Sequence, residues 1–60
     1  MMQIAEELYN EEALGAKAHR LCVEFTDEEL GGENYTTFIF EDGSKLILGE
    51  NGYIGCELKP

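Results

Sequence analysis

Apolar residues in the second half of this chain fall in short runs separated by turn formers. Thr36-Thr37-Phe38-Ile39-Phe40 and Lys45-Leu46-Ile47-Leu48 flank Asp42-Gly43. That arrangement predicts a β-hairpin, because a two-residue type I′ turn needs positive φ at both central positions, which aspartate tolerates and glycine adopts freely. A second turn at Gly49-Glu50-Asn51-Gly52 leads into Tyr53-Ile54-Gly55-Cys56-Glu57-Leu58. Residues 34–58 therefore read as two linked hairpins.

With Asp42-Gly43 as the loop, Ile39 lies opposite Leu46 and Phe38 opposite Ile47. One face then carries Tyr35, Thr37, Ile39, Leu46 and Leu48. The other carries Thr36, Phe38, Phe40 and Ile47, with Lys45 at its end. Both faces are largely apolar, whereas an antiparallel sheet covered on one side alternates apolar and polar positions. A second cover is implied, supplied either by curling of the sheet around its own core or by another protein surface.

Upstream, residues 2–14 predict a helix. Good helix formers fill it, Glu6 and Glu7 lie near its positive end, and Gly15 suits the position just past its last turn. Ile4 and Leu8 share a stripe with Leu14 nearby, but Glu7 and Glu11 fall close to it, so the helix is only weakly amphipathic. Ala16-Lys17-Ala18 would extend the helix to Arg20, yet Leu21, Val23 and Phe25 alternate with Cys22 and Glu24 as in a half-buried strand. The reading adopted breaks the chain at Gly15 and starts a strand near residue 17. Thr26-Asp27-Glu28-Glu29 has the form of a capping box, and Leu30-Gly31-Gly32 would stop the resulting turn of helix. The expected fold is α+β in one domain, residues 1–60: an N-terminal helix on a four-stranded antiparallel meander, with strands near 17–26, 34–41, 44–49 and 52–58.

Composition changes this picture in two ways. Sixty residues lie near the lower limit for a self-sufficient core, which favours a partner surface. Thirteen acidic residues against four basic ones give a formal charge of -9. Such a surface repels phosphate backbones and anionic bilayers, so direct nucleic-acid or membrane binding is not expected, whereas a basic protein groove is attracted. No apolar run approaches the ~20 residues of a membrane span. Residues 1–10 carry acids where a secretory signal would have a basic start, so a reduced, cytoplasmic setting is expected, with Cys22 and Cys56 as free thiols and a bridge as the alternative.

Candidate chemistry is sparse. Glu7 and Glu11 stand one helical turn apart, and His19 is the only histidine that could join them; as His19 is in phase with Leu21, a core-edge imidazole outweighs a ligand role. No phosphate loop, nucleophile with a base, or metal motif stands out, and neither catalysis nor a cofactor or metal is expected. Two working surfaces remain. Asp27, Glu28, Glu29, Glu33, Glu41 and Asp42 would form an electrostatic contact with a basic partner, with carboxylates substituting for phosphates; in the limit this is a nucleic-acid mimic of the kind small phage-encoded inhibitors of host defence use, anti-CRISPR proteins among them. Alternatively, Phe38, Phe40 and Ile47 on the spare apolar face would anchor a homodimer or other accessory assembly. The two can coexist.

Overall fold

A computed structural model describes residues 2–60. Two seven-residue helices, α1 (Ile4–Asn10) and α2 (Gly15–Leu21), precede four strands: β1 (Glu24–Leu30), β2 (Glu33–Ile39), β3 (Lys45–Gly49) and β4 (Gly52–Glu57). The strands pair antiparallel in sequence order, giving the expected α+β meander. The helices cover one face, with α1 lying over β3 and β4. Beneath them Ala5, Leu8, Ala18, Phe38, Phe40 and Leu46 form the buried core, edged by Ile4, Ala13, Cys22, Leu48, Tyr53 and Cys56.

The register of the central hairpin differs by one residue from the expected one. Phe38 pairs with Leu46 and Ile39 with Lys45. The loop holds three residues, not two: the Phe40 N–H donates to the Ser44 carbonyl (3.0 Å), the Gly43 N–H returns to the Phe40 carbonyl (2.9 Å), and Gly43 adopts φ 86°. This is a type I turn closed by a left-handed glycine. A slip of one residue moves a whole strand face. Here it puts Phe38, Phe40, Leu46 and Leu48 together on the helix side, whereas Ile47 joins Tyr35, Thr37 and Ile39 on the other.

The first third of the chain departs further. The helix expected over residues 2–14 ends at Asn10, because Glu12 takes a left-handed φ of 52°. Its N–H donates to the Tyr9 carbonyl (3.3 Å) and that of Ala13 to the Leu8 carbonyl (3.1 Å), which satisfies two terminal carbonyls in a Schellman arrangement. Gly15 therefore opens a second helix instead of ending the first. A Cβ there would sit 3.0 Å from Leu48 Cδ2, so the missing side chain lets α2 approach β3. The helix formers Ala16-Lys17-Ala18 then prevail over the Leu21/Val23/Phe25 alternation.

The expected strand at 17–26 is accordingly displaced to 24–30. Thr26 to Glu29 lie within β1 and cap nothing. Gly31 and Gly32, at φ 60° and 85°, make the two-residue turn between paired Leu30 and Glu33. Seven cross-strand pairs in this hairpin outweigh one local turn of helix.

The N-terminus of α1 is capped from across the chain. Gln3, its local cap position, makes no side-chain capping bond. Instead the Ile4 N–H donates to Asp42 Oδ2 (2.8 Å) and the buried Ala5 N–H to Ser44 Oγ (3.1 Å). Ser44 Oγ in turn donates to Asp42 Oδ1 (2.5 Å), which also accepts from the Ser44 N–H (3.0 Å). Two otherwise orphaned helix donors are thus met by the β2–β3 loop. The Gln3 amide pairs in both directions with the backbone of Lys59, at 2.7 Å each way.

Candidate functional site

Every residue of β1 is exposed, because β1 is an edge strand paired only with β2, and α2 touches it near its start, where His19 meets Phe25. Residues in register share a face, so Asp27 and Glu29 project on the helix side beside Thr36 and Asn34, whereas Glu24, Glu28 and Leu30 project on the other beside Ile39, Tyr35 and Glu33. The β1–β2 hairpin is therefore an arm with carboxylates on both faces. No Lys, Arg or His occurs anywhere in residues 21–44. Among the described residues the ion pair found, Lys17 Nζ to Glu11 Oε1 at 2.5 Å, lies on the helical side of the molecule.

Two of these acids, and Glu50 in the β3–β4 turn, are held by neutral donors. Thr36 Oγ1 donates to Asp27 Oδ1 (2.8 Å), Tyr35 Oη to Glu33 Oε2 (2.6 Å), and the Asn34 N–H to Glu50 Oε2 (2.7 Å). The bond to Glu33 is the largest influence raising the Tyr35 hydroxyl above its ordinary pKa, followed by partial removal from water and the charges of Glu33 and Glu50. These contacts orient the carboxylates without neutralising them.

The six residues expected to form one acidic contact thus divide. Asp27, Glu28, Glu29 and Glu33 share the arm. Glu41 and Asp42 lie past the other end of β2, about 20 Å away at ~3.3 Å per strand residue. Asp42 is a structural residue: its bond from the Ile4 N–H, then those from the Ser44 hydroxyl and N–H, hold its carboxyl below the usual range.

The residues expected on a self-association face divide too. Phe38 and Phe40 are each 1% exposed beneath the helices, so neither presents a surface. Ile47 lies on the uncovered side, where the bulge in β4 also places Ile54; a Cβ at Gly49 would sit 3.3 Å from Ile54 Cγ2 and 3.6 Å from the Tyr35 ring. Leu30, Tyr35, Ile47 and Ile54 border a shallow hollow of about 270 Å³. Sequence reasoning missed Leu30 and Ile54 as members of this face, and it grouped Ile39 with Tyr35 and Thr37 without reading that side as the uncovered one. Gly31-Gly32 read as a hairpin turn would have supplied the signal, since it sets Leu30 opposite Glu33 and in phase with Tyr35.

Glu7, Glu11 and His19 do not converge. The His19 ring packs edge-on against Phe25 and Phe38, with centroids 4.4 and 5.0 Å apart, and Glu11 is engaged by Lys17. Among the described residues, no three His, Cys, Asp or Glu side chains are grouped to hold a metal ion. Cys22 and Cys56 are half-buried free thiols, and Cys22 Sγ donates to the His19 carbonyl (3.1 Å). A second cleft of about 450 Å³ lies between the α1–α2 corner and the β3–β4 turn. The Tyr53 hydroxyl is buried without a partner, and burial, then the charge of Glu11, raises its pKa. Among the described residues no helix is long and apolar enough to cross a membrane. Comparison with protein-family models, curated proteins and solved structures finds no match to this chain.

Proposed function

We propose that this chain is a small acidic protein-binding module whose β1–β2 arm occupies a basic, nucleic-acid-binding surface on a partner protein. One observation carries the reading: an edge hairpin exposes Glu24, Asp27, Glu28, Glu29 and Glu33 with no cation within it. On the helix side Asp27 and Glu29 stand two strand residues apart, about 6.6 Å, and Glu28 projects with Glu24 and Glu33 on the other. A groove lined with Lys and Arg to follow phosphates meets carboxylates on whichever face of the arm it takes.

Mechanistically, the field of a -9 chain steers a basic partner into encounter, and the carboxylates replace the phosphates it would otherwise hold. Association is fast and weakened by salt, because exposed charges are screened within ~8 Å at physiological ionic strength. The protein acts by occupancy, as an inhibitor or decoy in the cytoplasm, and not as an enzyme. A phage-encoded antagonist of a nucleic-acid-guided defence, in the manner of an anti-CRISPR protein, is the sharpest form of this reading.

The test is capture from a host lysate on immobilised protein, eluted by a salt gradient, beside a variant carrying Asp27→Asn, Glu28→Gln, Glu29→Gln and Glu33→Gln. A basic nucleic-acid-binding protein that elutes at moderate salt, is displaced by duplex DNA and is lost with the variant is the expected result. Retention of the same proteins by the variant would overturn the proposal.

A further inference from the structure

We infer that the uncovered face of the sheet seats a basic amphipathic helix of the partner, with one large apolar side chain in the hollow between Leu30, Tyr35, Ile47 and Ile54. The inference rests on the reading above in that the partner is basic. It goes further in naming a second, apolar contact and the shape that fills it.

Apolar character and charge on this face point to the same occupant. Leu30 and Ile54 are 62% and 58% exposed, and Tyr35, Thr37, Ile39 and Ile47 complete an apolar strip across all four strands. By register, Glu24, Glu28, Glu33 and Glu57 surround that strip, and Lys45 is the one cation on the same side. An apolar strip with an acidic margin complements a helix that has leucine-like residues along one stripe and Lys or Arg on its flanks.

Size and charge favour this occupant over a second copy of the chain. Four strands spaced ~4.8 Å and five to seven residues long offer a face of only about 300 Å², well short of the ~800 Å² per partner typical of a stable complex. Such a face suits one helix, ~10 Å across. Stacking two copies would also bring two acidic margins together, each with Glu24, Glu28, Glu33 and Glu57 and one lysine to offset them. The apolar anchor supplies residence time and the acids supply approach.

The experiment titrates the ¹⁵N-labelled protein with two synthetic 16-residue peptides of identical Lys/Leu composition. In one the leucines fall on a single helical stripe; in the other they are scattered. The striped peptide is expected to bind about tenfold more tightly, the factor associated with burying one leucine-sized side chain, and to shift the amides of Tyr35, Thr37, Ile39, Ile47 and Ile54. The exposed-site variants Leu30→Ser and Ile54→Thr should remove that advantage and leave the scattered peptide unaffected. Equal binding of both peptides, with shifts confined to Asp27, Glu29 and their neighbours, would overturn the inference and leave the acidic-contact proposal standing. No binding of either peptide would sink both. Concentration-dependent shifts of the same amides without peptide would identify a second copy as the occupant and likewise overturn it.

Discussion

Replacing Ser44 by Ala removes one oxygen from the β2–β3 loop, and its main effect is expected 39 residues away, at the start of α1. Ser44 is fully buried, as is Ala5, so the Ala5 N–H loses its acceptor where water cannot readily take its place. An unsatisfied buried donor costs about 1–3 kcal/mol. The other side of the serine bond faces Asp42, which is exposed and can be rehydrated, so little is added there. We therefore expect a loss of about 2 kcal/mol, against a total of roughly 3–9 kcal/mol for a domain of this length. At ~4–8 °C per kcal/mol, the melting temperature should fall by about 8–16 °C. Urea titration followed by far-ultraviolet circular dichroism gives the free-energy change, and hydrogen exchange of the Ala5 amide gives its location. A change under about 0.5 kcal/mol with an unaltered m-value, or undiminished protection at Ala5, would refute the view that this loop caps the helix.

Four other outcomes follow from the same geometry. Glu12→Gly relieves a left-handed conformation that glycine adopts freely, and should stabilise the protein by about 0.5–1 kcal/mol in the same titration. Phe38→Ala should cost about 3–5 kcal/mol and leave little folded protein, whereas Ile47→Ser on the opposite face should remain folded; equal effects would contradict the register. The lowered pKa of Asp42 means that its contribution is present above its unfolded pKa and is lost as pH falls through the folded value, so the wild-type and Asp42→Asn stability curves should converge below about pH 4. The raised pKa of Tyr53 has the opposite sign: its contribution is complete below about pH 10 and fades above it, so Tyr53→Phe should gain relative stability in alkali, as thermal melts would show.

The sequence carried the sheet better than the helices. Alternation and turn formers in residues 34–58 were enough for three strands and their antiparallel order, because each hairpin is specified within about ten residues. Register was not legible, since loop length depends on Asp42 and Ser44 anchoring to a helix almost forty residues away. Ser44 looked like an ordinary turn residue for the same reason. Thr26-Asp27-Glu28-Glu29 matched a helix start locally, and only pairing with Asn34 to Thr37 shows it to be strand. Of the candidate site, the acidic cluster at 27–33 was visible as composition, but its division between two faces depends on strand phase. The apolar face was foreseen as a surplus and assigned to the wrong side chains, because a one-residue slip exchanged the partners of Phe38 and Phe40.

The trans-chain cap has a kinetic side. Seven-residue helices are far shorter than the ~12–15 residues at which isolated helices become even marginal in water. Until the loop at residues 42–44 exists, α1 lacks both the sheet it packs on and the acceptors for its first amides. During synthesis, which proceeds N-terminus first at about 5–20 residues per second, the helical third waits as unstructured chain for seconds while the hairpins are made. The geometry therefore predicts folding against the order of synthesis, with the sheet as nucleus and α1 docking late. Mutations in the β2–β3 hairpin should slow folding, and mutations in α1 should mainly hasten unfolding.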